Sequence, residues 1–367
     1  MSLPTLEAAH TRLDEILARG TVNLGARADT ERLMLMLTRS CELRCGYCFV
    51  EKSESAPVMP LATATRAVDL LMSSRRSKLE LQLFGGEPTR SWDVLEAVLS
   101  HAFRHPELRG RRLELILTTN GIGLDEARVR VLERWPVMVL FSLDGDRAAH
   151  RRFRNAHLVS DDAAYRAVET SLALLKGSRV SWFMNAVLPP SAGDEVVSRF
   201  EWAEKQGVPR LQINYAVGMA WSEAQSRTYL EGLEALLRSH HADSRGVQLF
   251  NWKSDCEPVI LSDDLIVDVD GSVLHDGAIF LERAFPKLKA TYRRGHLDGL
   301  TAFDPLRWDL RTLHDTLLST YPEGSDERAI LLGNILLGAR VDLLIQGLSR
   351  ELGRSPSRGA RAGGKAV

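Results

Sequence analysis

Between residues 33 and 217 the chain alternates short apolar runs with stretches of helical periodicity, and this alternation limits the fold more than any other feature. The apolar runs cover 33–38, 79–84, 113–118, 137–142, 180–187 and 211–217; the helical stretches fall near 62–76, 92–103, 124–134, 161–175 and 194–206. A run such as Leu33-Met34-Leu35-Met36-Leu37 has no polar face, so it suits a parallel strand covered on both sides. Six strands joined by helical crossovers exceed the needs of a small open sheet and favour a barrel or barrel-like arc. The expected class is α/β: a partial (β/α)6 TIM-type barrel over 31–225, preceded by an N-terminal helical segment (1–30). Past 225 the alternation stops. A smaller α+β extension is expected over 226–352, with a hairpin turning at Asp270-Gly271 and a Leu-, Ile- and Gly-rich helix over 326–352. The Ser/Gly/Arg-rich stretch 353–367 reads as a disordered tail.

Lys+Arg (47) and Asp+Glu (48) nearly cancel, so no global cationic field draws the protein to nucleic acid or an anionic membrane. No basic segment followed by an apolar run opens the chain, and no stretch reads as the roughly 18 apolar residues of a spanning helix. A cytoplasmic location is expected. In that reducing setting cysteine spacing points to metal or catalysis before disulfides.

Three of the four cysteines, Cys41, Cys45 and Cys48, stand within eight residues as Cys-Glu-Leu-Arg-Cys-Gly-Tyr-Cys, directly after the first strand. Barrel enzymes carry their reactive groups at that end of a strand. Three thiolates converging on one metal centre leave a coordination position open, whereas a structural zinc site closes with four ligands. A four-iron cluster, ordinarily held by four thiolates, would keep one iron free for a substrate or cofactor. A zinc site completed by a distant His, in a barrel protein without catalytic activity, is the alternative.

The Cys-x3-Cys-x2-Cys spacing, with the aromatic Tyr47 before the last Cys, resembles the signature of the radical S-adenosylmethionine (SAM) superfamily. Further segments follow in that family's order: Gly85-Gly86-Glu87-Pro88 after the second strand, Thr118-Thr119-Asn120-Gly121 after the third, and Ser142-Leu143-Asp144-Gly145 with His150 and Arg154 after the fourth. The resemblance implies that Cys41, Cys45 and Cys48 hold one [4Fe–4S] cluster. Its open iron chelates SAM, whose reductive cleavage gives a 5′-deoxyadenosyl radical that abstracts a substrate hydrogen. It further implies SAM contacts from Gly85, Gly86 and Glu87, from Ser142, from Arg154 toward the carboxylate, and from Val217 near the adenine. An electron donor such as a flavodoxin or ferredoxin is implied as a partner. The S-x-D-G…H…R pattern resembles the peptide-modifying branch, so a peptide substrate is expected, with a small metabolite as the alternative.

Relatives in that branch often carry a SPASM extension, whose cysteines bind auxiliary clusters. The segment 265–275 resembles its V-D-x-D-G-x-V stretch, but His275 and then Asp276 stand where a Cys is expected, and only Cys256 remains in the region. The extension therefore resembles a degenerate SPASM remnant with no second cysteine-held cluster. Cys256 is a candidate hydrogen-atom donor, with a buried structural thiol as the plainer reading. His275, Asp276 and Asp268 are read as a polar cluster beside the turn, with a general-base pair or a metal site as the alternatives.

Overall fold

The computed structural model describes residues 3–19, 30–52, 58–243, 246–252, 260–303, 306 and 308–354. The elements, in chain order, begin with α1 (Leu6–Arg19), β1 (Thr30–Met36), β2 (Leu43–Cys45), α2 (Leu61–Met72), β3 (Lys78–Phe84), α3 (Trp92–Arg104), β4 (Arg112–Thr119) and α4 (Glu126–Leu132). They continue through β5 (Val137–Ser142), α5 (Arg147–Phe153), β6 (Arg154–Ala156), α6 (Asp161–Gly177), β7 (Ser181–Leu188), α7 (Val196–Lys205) and β8 (Arg210–Tyr215). The C-terminal part comprises α8 (Glu223–Asp243), β9 (Gln248–Leu249), β10 (Leu265–Val267), β11 (Ser272–His275), α9 (Gly277–Phe280), α10 (Leu288–Thr291), β12 (Arg293–His296), α11 (Leu310–Ser319) and α12 (Asp326–Glu351).

Strands β1, β3, β4, β5, β7 and β8 lie side by side in that order, every pair parallel. This is the expected partial (β/α)6 barrel, its crossovers packed outside. The period-two alternation of each strand sorts the residues between two faces. Leu33, Leu35, Leu79, Leu81, Leu115, Leu117, Val139 and Ile213 point outward into one buried core with Val68 and Leu71 of α2 and Val98 and Leu99 of α3. The opposite set faces the lumen. Met34, Met36 and Phe84 are covered there by Ile16 of α1, Leu313 of α11 and Ile335 of α12. On β5 and β8 the inward positions are only half-buried, alternating strictly with buried outward ones. The terminal helices thus fill one side of the lumen and leave the β4–β8 side open.

The extension does not form a sheet of its own. Strand β10 pairs parallel with β1 (Leu33 with Leu265, Leu35 with Val267), and β11 and β12 follow antiparallel, so one ten-stranded sheet runs through both parts. The turn falls at Asp270-Gly271 as expected, with Gly271 at φ +85°. The three-residue strands β2 and β6 pair separately as an antiparallel ribbon.

One expectation is corrected. Among the described residues α12 is long and apolar enough to cross a membrane, although 61% of its apolar window is buried inside the protein. Two charged residues in its middle are buried and paired within the fold. Asp342 accepts from Arg12 Nε of α1 at 2.7 Å, and Arg340 pairs with Glu223 of α8 at 2.9 Å. A core helix that ties α1 to α8 has that composition. The tail expected over 353–367 lies outside the described residues from 355 onward.

Candidate active site

The chain leaves β1 at Met36 and within five residues delivers Cys41, buried to 7% exposure. Cys45 ends β2, also buried, and Cys48 is half-buried in the following turn, where its N–H donates to Cys45 O at 3.0 Å. The Leu43 N–H (3.4 Å) and Asn120 Nδ2 (3.7 Å) both donate to Cys41 Sγ. Burial pushes the Cys41 thiol up to about 12 and also raises Cys45. Lys52, donating to Leu43 O at 3.0 Å, has its charge favoured by Cys48, Cys41 and Cys45 together. Three thiols on one short loop, N–H donors aimed at sulfur and an adjacent ammonium fit a metal–thiolate centre, because a metal displaces the thiol protons and the donors stabilise the remaining charge.

The paired glycines after β3 make a close backbone crossing. Gly86 N donates to Thr38 O at 2.7 Å and Glu87 N to Ser40 O at 2.8 Å. A Cβ on Gly86 would stand 2.3 Å from Ser40 O, and one on Gly85 2.4 Å from Thr38 O. The glycines therefore admit the very stretch of backbone that leads into Cys41. Glu87 is 1% exposed, and its carboxylate accepts four hydrogen bonds: Thr89 N (3.1 Å), Thr89 Oγ1 (2.8 Å), Thr119 Oγ1 (2.7 Å) and Asn120 N (2.7 Å). Burial, and then Glu42, push it up to about 7 while the donors pull it down. Glu87 thus joins the glycine turn to the Thr119-Asn120 turn, whose Asn120 touches Cys41.

Ser142 ends β5 half-buried on the lumen face, in register with Asn185 of β7. Asp144, fully buried, accepts Arg154 Nε and Nη2 at 3.0 Å each, the Tyr47 hydroxyl at 2.5 Å and the Val187 N–H at 3.1 Å. Arg154 itself is the β6 residue opposite Cys45, and its guanidinium lies 5.6 Å from the Tyr47 ring centre. This buried fork fixes the middle of the cysteine loop from behind, a role for Asp144 and Tyr47 that sequence reasoning had not assigned; the aspartate of Ser-Leu-Asp-Gly was the available signal. His150 lies close by with neither ring nitrogen hydrogen-bonded, and burial lowers it to about 4.

The remaining candidates are dispersed. Val217, half-buried, lies two residues beyond β8 and packs on the outer core. Cys256 lies outside the described residues. The expected polar cluster divides, because His275 pairs with Leu265 at the end of the hairpin remote from its turn, whereas Asp268 lies beside the turn.

Residues 35–203 match the radical SAM superfamily profile, and the chain carries a domain of that superfamily. Its cofactors are accordingly a [4Fe–4S] cluster and SAM. Among curated proteins, the chain is 31% identical over 179 residues to a GTP 3′,8-cyclase of Erythrobacter litoralis, covering 48% of this chain and 51% of that protein. It is 24% identical over 135 residues to the radical SAM cyclopropyl synthase TigE of Paramaledivibacter caminithermalis, covering 32% and 28%. The chain thus spans about half or less of the length of these relatives. Among solved structures, anSMEcpe with bound AdoMet and Kp18Cys peptide superposes with a TM-score of 0.67 at 16% identity, covering 87% of this chain and 99% of that one. SuiB of Streptococcus suis bound to the precursor peptide SuiA gives 0.51 at 13%, covering 87% and 69%. These likenesses support the shared fold.

Proposed function

We propose that this protein is a radical SAM enzyme that abstracts hydrogen from a peptide. The observation that carries the enzymatic reading is the trio Cys41, Cys45 and Cys48 at the C-terminal mouth of the parallel arc, locked to the Gly85-Gly86-Glu87 and Asn120 turns by the hydrogen bonds above. When bound, the cluster supplies one electron to the SAM sulfonium, and the carbon radical released from SAM takes a hydrogen from the substrate. In this proposal Cys41, Cys45 and Cys48 ligate the cluster. Gly85, Gly86 and Ser142 border SAM, Val217 lies toward its adenine, and Glu87 and Arg154 act by holding these turns in place. Residues 31–225 form the catalytic barrel, and 226–352 close one side of its lumen. A flavodoxin or ferredoxin as electron donor and a cytoplasmic location belong to the same reading.

A peptide is favoured by the chemistry of the open lumen. Toward the mouth, the inward positions of β4–β8 are Thr118, Ser142, Asn185 and Asn214, all neutral. Gln82 Nε2 donates to Thr118 Oγ1 at 2.7 Å, and Asn214 Nδ2 to Asn185 Oδ1 at 2.8 Å. Amide and hydroxyl groups match the donors and acceptors of a peptide backbone, while a nucleoside triphosphate calls for Arg and Lys forks. The second reading, a small-metabolite substrate, is favoured by the cyclase relatives. Co-expression with short peptides encoded beside the gene, followed by mass spectrometry, separates the two. A protein-dependent mass change in one peptide supports the peptide reading. No change, together with 5′-deoxyadenosine formation stimulated by GTP, favours the other.

A further inference from the structure

The first aspartate of the Val267-Asp268-Val269-Asp270-Gly271-Ser272-Val273 segment in the extension reaches the cysteine loop. Asp268 is 1% exposed, and its Oδ1 and Oδ2 receive Arg39 Nε (3.2 Å) and Nη2 (2.8 Å). Arg39 lies two residues before Cys41. Its Nη1 reaches Glu282 Oε2 at 2.6 Å and Glu51 O at 3.0 Å. Lys289 Nζ closes the set on Asp268 Oδ2 (2.7 Å) and Glu282 Oε1 (3.3 Å). Two cations and two anions balance. The far end of the cysteine loop is gripped as well: Arg283 N donates to Phe49 O (3.0 Å), Arg283 Nη1 to Cys48 O (3.4 Å), and Glu51 N to Glu282 Oε2 (3.3 Å).

We infer that the extension acts as a charged clamp on the cluster loop, with Asp268, Glu282 and Arg283 holding both ends of the segment 39–51 and so fixing the three sulfurs toward the cluster. This rests on the assignment of Cys41, Cys45 and Cys48 as ligands. Asp268, Glu282, Arg39 and Lys289 are positioning residues. A free loop of this length samples many conformations, and a cluster held at three points is lost from whichever sulfur strays. A balanced, mostly buried charge set with forked geometry restricts that motion at a site 229 residues away in sequence.

The test uses the full chain, anaerobically reconstituted, with two readouts: the rate of iron loss to a chelator, and the electron paramagnetic resonance spectrum of the dithionite-reduced cluster with and without SAM. Asp268→Asn is expected to speed iron loss by about tenfold and broaden or shift the spectrum, and Arg39→Gln to do the same. The double variant is expected to be no worse than the worse single, because neither charge is then left alone. Arg66→Gln is the control: its exposed pair with Asp298 also joins barrel to extension, but away from the cysteines. It should leave both readouts unchanged. If Asp268→Asn does not fold, Lys289→Gln, at the half-exposed edge of the set, is expected to raise the loss rate by about two- to threefold with the spectrum shifted in the same sense. Rates and spectra equal to wild type in folded Asp268→Asn, or in Lys289→Gln where that variant stands in, overturn the clamp alone. A wild-type protein that takes up no iron overturns the ligand assignment and the clamp with it.

Discussion

Replacing Gly86 by alanine tests whether the glycine turn positions the cysteine loop. The added Cβ would stand 2.3 Å from Ser40 O and 2.7 Å from Ser40 C, both backbone atoms with no rotamer to yield, and side-chain carbons keep at least 3.0 Å from such neighbours. The two segments must separate by about 0.7 Å, the difference of those distances. That opening stretches the Gly86 N to Thr38 O and Glu87 N to Ser40 O hydrogen bonds, now 2.7 and 2.8 Å, to the edge of bonding range. Two weakened hydrogen bonds at about 1 kcal/mol each, with overpacking of about 1–3 kcal/mol, give a destabilisation of roughly 3–5 kcal/mol. Cys41, next to the displaced Ser40, moves with it, so iron content after reconstitution should fall as well. The internal control is Gly46→Ala in the cysteine loop itself, where an added Cβ meets nothing within 4 Å. It should stay within about 0.5 kcal/mol of wild type. Denaturant unfolding followed by circular dichroism, with iron analysis of the same samples, reads both effects. A Gly86→Ala protein as stable and as iron-loaded as wild type, or a Gly46→Ala protein equally damaged, would refute the reasoning.

Acid stability should depend on His150. Burial holds it at about 4, so its folded form stays neutral while the unfolded chain takes up a proton from about 6.5 downward; wild type therefore loses about 1.4 kcal/mol per pH unit through this residue between those values. His150→Phe removes two unpartnered nitrogens, and its melting temperature should fall less than wild type's as pH drops across that window; parallel curves would contradict this. Glu87→Gln replaces one of two accepting oxygens by an NH2 group facing protein donors and should cost about 2–3 kcal/mol by urea unfolding, with wild-type stability as the contrary result. Asp144→Asn leaves Arg154 buried without its charge partner and should cost about 3–5 kcal/mol, whereas adding Arg154→Gln should restore part of it. Strictly additive losses in that cycle would show that the fork is not a unit.

The parallel barrel and the cysteine loop are legible in sequence because local pattern encodes both: period-two and period-3.6 hydrophobicity for the strands and helices, and ligand spacing within eight residues for the loop. The turn at Asp270-Gly271 is equally local. What escapes is long-range pairing. Nothing in 265–275 reveals that β10 docks parallel on β1, since either edge of the arc offers the same unpaired backbone groups. Helix α5 and the three-residue strands β2 and β6 are too short for periodicity to register, although Asp146 carries an N-cap signal, accepting from Ala149 N. The internal partners of the site residues escape in the same way: that Glu87 accepts from the Thr119-Asn120 turn and that Arg154 forks onto Asp144 depends on contacts no local pattern encodes. Composition of α12 hid its buried charges, because Arg12 and Glu223, which pair with them, lie more than a hundred residues away.

The most direct measurement is metal and product analysis of anaerobically purified protein and its Cys45→Ala variant. Wild type should carry about four irons per chain with visible charge-transfer absorbance. On adding dithionite it should convert SAM to methionine and 5′-deoxyadenosine, and Cys45→Ala should lose the iron and the product together. Stoichiometric zinc in place of iron, no visible absorbance and no 5′-deoxyadenosine would contradict the account at its base.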